Sequence, residues 1–130
     1  MAGWDSYIVT LLQSSDSMKS AAILGYPDGT VWARSTGDKE CKATDDELKT
    51  LTELFNAPES AMENGCQLGG VHYKIFHVEE NVMLGRLGEP CFAAYKTTSA
   101  VVVGFHEGKD LGQARNAIEK MATYLKSSGY

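Results

Sequence analysis

Apolar residues in the opening stretch "WDSYIVTLL" fall at Trp4, Tyr7, Ile8, Leu11 and Leu12, the i, i+3, i+4, i+7, i+8 spacing of an amphipathic helix. At about 100° per residue, Tyr7 and Leu12 mark opposite edges of that stripe, so one edge can face a core while the other faces something else. In "AAILGYPDGTVWARS" two apolar runs are joined by Pro-Asp-Gly, turn chemistry that predicts a β-hairpin with Trp32 on its second strand. Thr44 and Glu47 in "TDDELKTLTELF" form a capping box, and Leu48, Leu51 and Phe55 repeat behind it at helical spacing. A shorter helical turn starts near Pro58 and stops at Asn64-Gly65.

Four runs then read as strands divided by turn residues: "GVHYKIFHV", "NVMLGRL", "CFAAYKT" and "SAVVVGFHE". Their connections are too short for crossover helices, so the strands form an antiparallel meander. "AVVVGF" is apolar throughout and is the expected central strand, covered on both faces. The closing helix is predicted from Asp110, with Gln113 three residues on as a capping pair. It buries Leu111, Ala114, Ile118, Met121, Ala122 and Leu125, with Tyr124 at the rim of the stripe.

Composition fits one globular domain over residues 1–130: 43% of residues are apolar, 22% are charged and three are proline. The longest uncharged apolar run falls far short of the roughly 20 residues that span a bilayer, and a cytoplasmic chain is expected. Cys41, Cys66 and Cys91 are odd in number with no C-x-x-C pair, which predicts reduced thiols rather than a disulfide framework or zinc ribbon. Charge is uneven: residues 1–65 carry five basic and eleven acidic side chains, net −6, and residues 66–130 carry seven and six, net +1. This balance argues against nucleic-acid binding, and an acidic partner would meet the second half.

Several chemistries lack their signatures. The glycines of "QLGGVHY" and "LGRLGE" have neither the spacing nor the Lys-Ser/Thr of a phosphate-cradling loop. His72 and His77, five apart on a predicted strand, are expected on opposite faces and so unable to share a metal by local geometry. Asp45-Asp46 and Glu79-Glu80 sit at a helix start and a turn, where they serve the helix dipole and solvation. No cofactor and no catalytic set is expected, although Cys66 or Cys91 with a histidine base would be the place to look for one.

Four of the eight Trp and Tyr rings lie in the first seven or last seven residues, where chains ordinarily fray. Such rings could simply fill a contact between two terminal helices. Alternatively, their flat apolar faces and single donors suit a proline-rich strand already held in the polyproline II form.

The stretches "AGWDSYI", "AAILGYPDGTVWA", "LGGVHY", "YKTTSAVVVGFHEG" and "IEKMATYLKSSGY", in this order along the entire chain, resemble the profilin family, in particular its compact plant and lower-eukaryote members. The resemblance implies an α+β fold: a central antiparallel sheet with the N- and C-terminal helices on one face and smaller helices on the other. It implies a poly-L-proline groove lined by Trp4, Tyr7, Trp32, Tyr124 and Tyr130, with Tyr124 standing where many relatives have histidine. It also implies binding of monomeric actin through Ile75, His77, Arg86, Lys109, Gly112, Arg115, Asn116 and Lys120. Weak, salt-sensitive phosphoinositide binding through Arg86 and Lys126 is a third implied property. Val9 and Leu87 depart from the family pattern, where acidic or amide and basic residues respectively are usual.

What the resemblance implies is a monomeric cytoplasmic regulator of actin polymerisation, not an enzyme, that joins actin to proline-rich partners such as formins. Two rivals share parts of the pattern. One is a proline-binding adaptor whose actin surface has drifted, and the other is a small-molecule sensor domain of the PAS type, which would need a cavity in its core.

Overall fold

The computed structural model describes the backbone of residues 2–108 and 111–130 and the side chains of 4–108 and 112–130. Helix α1 (Ala2–Gln13) is followed by the hairpin β1 (Met18–Gly25) and β2 (Val31–Arg34), then by α2 (Asp45–Leu54) and α3 (Pro58–Asn64). Strands β3 (Cys66–Leu68), β4 (Val71–Glu79), β5 (Val82–Arg86), β6 (Cys91–Lys96) and β7 (Ala100–His106) precede α4 (Leu111–Ser127). They build a seven-stranded sheet in the order β2-β1-β7-β6-β5-β4-β3, antiparallel at every pairing.

Strand β7, flanked by β1 and β6, is buried at every residue. Alternation of its side chains divides the core in two. Val101, Val103 and Phe105 pack with Leu48, Leu51 and Phe55 of the α2 segment and Ala61 of α3. Val102 faces the other way, into a cluster with Ile8 and Leu11 of α1 and Ala114, Ile118, Met121 and Leu125 of α4. The terminal helices thus share one face of the sheet and the smaller helices the other, as the family resemblance implies.

Gly104 makes the first of these layers close. A Cβ there would lie 2.4 Å from Cδ1 of Ile118 and 3.0 Å from Sδ of Met18, so only glycine admits α4 at this depth. On the opposite face the predicted capping box is formed: Thr44 Oγ1 accepts from the Glu47 amide at 3.1 Å, and Glu47 Oε1 accepts from the Thr44 amide at 2.9 Å. The same Glu47 oxygen accepts from the Gly69 amide at 2.9 Å, which ties α2 to the turn between β3 and β4.

The structure adds one strand and corrects one expectation about the sheet. Strand β3 was unpredicted, because three residues carry no periodicity. His72 and His77 share a face: Ile75 pairs with Gly85 but His77 with Leu84, so Phe76 is an extra, bulged residue that shifts parity by one. His77 then lies on the side of Lys74, whose partner Arg86 is two residues from Leu84. The Asp110 cap lies outside the described residues, and Gln113 donates its side-chain amide to the Ser14 carbonyl at 3.1 Å, joining α4 to the end of α1.

Candidate functional site

The five predicted groove rings are brought together. Trp4 and Tyr7, one turn apart on α1, have centroids 5.6 Å apart, edge to face. Trp4 lies 4.8 Å from Trp32 of β2 and 4.9 Å from Tyr130, and Trp32 lies 6.3 Å from Tyr130. Tyr7 meets Tyr124 of α4 at 5.8 Å, edge to face. These separations fall within the range at which aromatic pairs attract.

Local structure explains the gathering. The helical stripe of α1 places Trp4 and Tyr7 on its α4 side, and the β1–β2 hairpin raises Trp32 against them. Gly25 leaves room for that indole, since a Cβ there would lie 2.8 Å from Trp32 Nε1. Trp4, Tyr7 and Trp32 are half-buried, and Tyr124 is 52% exposed, so the cluster is an open apolar face rather than a core. Among the described residues the indole N–H groups of Trp4 and Trp32 have no partner, leaving two donors in that face. The Tyr7 phenol is pushed above its ordinary value, first by hydrogen bonding with Tyr124 and then by desolvation.

The residues expected to face actin are distributed less simply. His77 and Arg86 lie on the α4 side of the sheet; His77 Nε2 meets Glu79 Oε2 at 2.5 Å, and Arg86 is exposed. Gly112, Arg115 and Asn116 are exposed on α4, and Arg115 Nε donates to the Tyr95 hydroxyl of β6 at 3.1 Å, leaning toward the β5 flank. Lys120 lines the cleft between α1 and α4 with Tyr7 and Tyr124, and so belongs spatially to the aromatic face. Ile75 is 3% exposed and packs in the core with Met83 and Phe92, where it can meet no partner. Lys109 lies outside the described residues.

Arg86 and Lys126 form no single patch. Lys126 borders Asn81, Val82 and Lys96 at one end of β5, whereas Arg86 is at the other, about 13 Å along the strand.

Met62 and Phe76 escaped the sequence reading. Both are about half exposed, and with Val78 and the acidic Glu59 and Glu63 they line a hollow beside His77. The signal was the aromatic residue in "YKIFHV", which strict alternation would have sent to the face opposite Ile75. The bulge brings it instead to the α3 hollow.

Among the described residues no group of three or more His, Cys, Asp or Glu side chains could hold a metal ion. All three cysteines are buried, and desolvation pushes each thiol up, Cys66 to about 12, which opposes nucleophilic use. His106 is buried, neither of its ring nitrogens is hydrogen-bonded among the described residues, and burial together with nearby Arg115 holds its pKa below the usual imidazole value. No described helix is long and apolar enough to cross a membrane.

A sequence model of the family described as Profilin matches residues 2–130. The chain belongs to the profilin family. Profilin-1 of Caenorhabditis elegans is 41% identical over 132 residues, covering all of both chains. Among solved structures, profilin IB of Acanthamoeba castellanii superposes with a TM-score of 0.88 at 34% identity, over 98% of this chain and 99% of that one. Mouse profilin IIa, solved in complex with a double repeat from the FH1 domain of mDia1, superposes at 0.75 with 26% identity, over 98% and 99%. The profilin assignment sets aside the sensor-domain alternative.

Proposed function

We propose that this chain binds monomeric actin and proline-rich partners such as formins, and so regulates actin polymerisation. The observation that carries this reading is the open cluster of Trp4, Tyr7, Trp32, Tyr124 and Tyr130, whose apolar faces and indole donors suit a polyproline II strand with unpaired carbonyls. Support also comes from the mouse relative, which was solved in complex with a double FH1 repeat.

Actin would meet the opposite flank of α4, where Gly112, Arg115 and Asn116 neighbour the sheet face that carries His77 and Arg86. Binding there would favour an opened nucleotide cleft in actin and thereby speed its nucleotide exchange. Residues 1–130 act as one cytoplasmic domain on this reading, and the chain catalyses no reaction of its own. Phosphoinositide binding is weak, because Arg86 and Lys126 stand too far apart to grip one headgroup.

The test is a titration with an oligoproline peptide read by tryptophan emission, paired with a titration of monomeric actin. Saturation in both supports the proposal. Saturation with oligoproline alone identifies the adaptor without an actin surface, and saturation with neither sinks the reading.

A further inference from the structure

Tyr130 contributes a ring to the aromatic face although it follows α4 and belongs to no regular element, so its position has to be imposed by contacts. The chain turns back at Gly129, and the Tyr130 amide donates to the Leu125 carbonyl at 2.9 Å. The main-chain oxygen of Tyr130 then accepts three bonds from the turn between β6 and β7. The Ser99 amide is one donor; the Ser99 hydroxyl and the Thr97 hydroxyl, each at 2.8 Å, are the others.

The turn that supplies these donors is itself fixed. Thr97 Oγ1 accepts from the Ala100 amide at 3.0 Å, the Thr97 amide donates to the Ala100 carbonyl at 2.7 Å, and the Ser99 carbonyl accepts from the Tyr26 amide at 2.9 Å. Tyr26 follows β1 directly, in the same hairpin that carries Trp32. One rigid turn therefore touches both the hairpin that places Trp32 and the segment that places Tyr130.

We propose that Thr97 and Ser99 are positioning residues of the proline groove: their hydroxyls clamp the main chain of Tyr130 and thereby seat its ring against Trp4 and Trp32. Neither hydroxyl needs to touch the ligand. The inference rests on the groove reading, and removing the clamp releases the ring to solvent, so part of the groove must be ordered again when a peptide docks.

Ser99→Ala is the decisive variant, because among the described residues that hydroxyl bonds Tyr130 alone, whereas Thr97 also closes the turn. A hydrogen bond of this kind sets an expected three- to tenfold weakening of oligoproline binding in Ser99→Ala, more in Thr97→Val/Ser99→Ala, and recovery in Ser99→Thr. The ligand-free tryptophan emission should shift with Ser99→Ala, and affinity for monomeric actin should stay within twofold. Trp4→Ala and Tyr130→Ala are run alongside. If both lose oligoproline binding while Ser99→Ala binds within twofold of the unmodified chain, the clamp is wrong and the groove stands. Equal losses of actin and oligoproline affinity in Ser99→Ala also overturn the clamp, since the damage is then global. If Trp4→Ala binds oligoproline normally, the groove reading itself fails.

Discussion

Trp4 and Trp32 lie 4.8 Å apart with their rings tilted by 42°, which joins the first helix to the second strand through the two largest side chains of the protein. Each ring therefore supports the other as well as any ligand laid across them. Trp4→Ala should weaken oligoproline binding by about 2 kcal/mol or more, close to thirtyfold, as expected for an aromatic anchor at the centre of an interface. Trp32→Ala should cost a similar amount, and the double variant less than the sum, because the two lose the same contact. Calorimetry on the four proteins checks this, and strictly additive losses would show that the rings act independently.

Gly104 and Ile118 test how α4 is seated. Gly104→Ala should destabilise the fold by about 1–3 kcal/mol through overpacking against Ile118 Cδ1. Ile118→Val removes that terminal methyl, so Gly104→Ala/Ile118→Val should recover part of the loss in urea denaturation. A harmless single substitution would mean that α4 does not sit this close.

Glu47 bridges two elements 22 residues apart in sequence through one oxygen. Glu47→Ala removes the capping box and leaves the Gly69 amide without its acceptor, at a combined cost of about 1–3 kcal/mol. Glu47→Gln, which keeps the oxygen, should retain most of the stability; thermal melts of both variants decide it.

His106 predicts a pH dependence. Its folded-state pKa is below the ordinary 6.5, so as pH falls below 6.5 the unfolded chain takes up a proton that the folded chain refuses. Stability contributed by this residue is therefore present above pH 6.5 and declines on acidification toward the lowered folded value. Denaturation curves between pH 7.5 and 5 should slope accordingly (about 1.4 kcal/mol for each pH step within that window at most), and His106→Leu should flatten the slope. An unchanged slope in that variant would place the dependence elsewhere.

The thiols give a chemical check. Cys66, with its pKa at about 12, should resist iodoacetamide in the native protein, and Cys91, the most exposed of the three, should react first. Peptide mapping by mass spectrometry after native alkylation reports the order.

Much of this architecture was legible in periodicity. The stripe of α1, the Thr44–Glu47 box and the apolar run of β7 each reflect burial or capping imposed by neighbouring residues, and each formed where it was read. What stayed hidden depended on registry between distant segments. The bulge at Phe76 exists because β4 has one residue more than β5 can pair, and no local pattern in either strand encodes that mismatch. The burial of Ile75 and the turn of Lys120 toward α1 have the same origin: a motif places a residue on an element, but packing decides which way the element presents it. The gathering of five rings from the two ends and the hairpin was foreseeable only through family resemblance, since nothing along the chain relates Trp32 to Tyr130.

Helix α4 carries Asn116 near one end and Tyr124 near the other, eight residues or about 12 Å apart along its axis, and Gly104 lets it lie directly on the sheet. A rod held in that way works as a ruler. On the proposed reading, a proline segment gripped at one end and an actin monomer gripped at the other are kept at a constant offset. A formin tether would then present each monomer already registered, with the geometry of delivery set before the filament is reached.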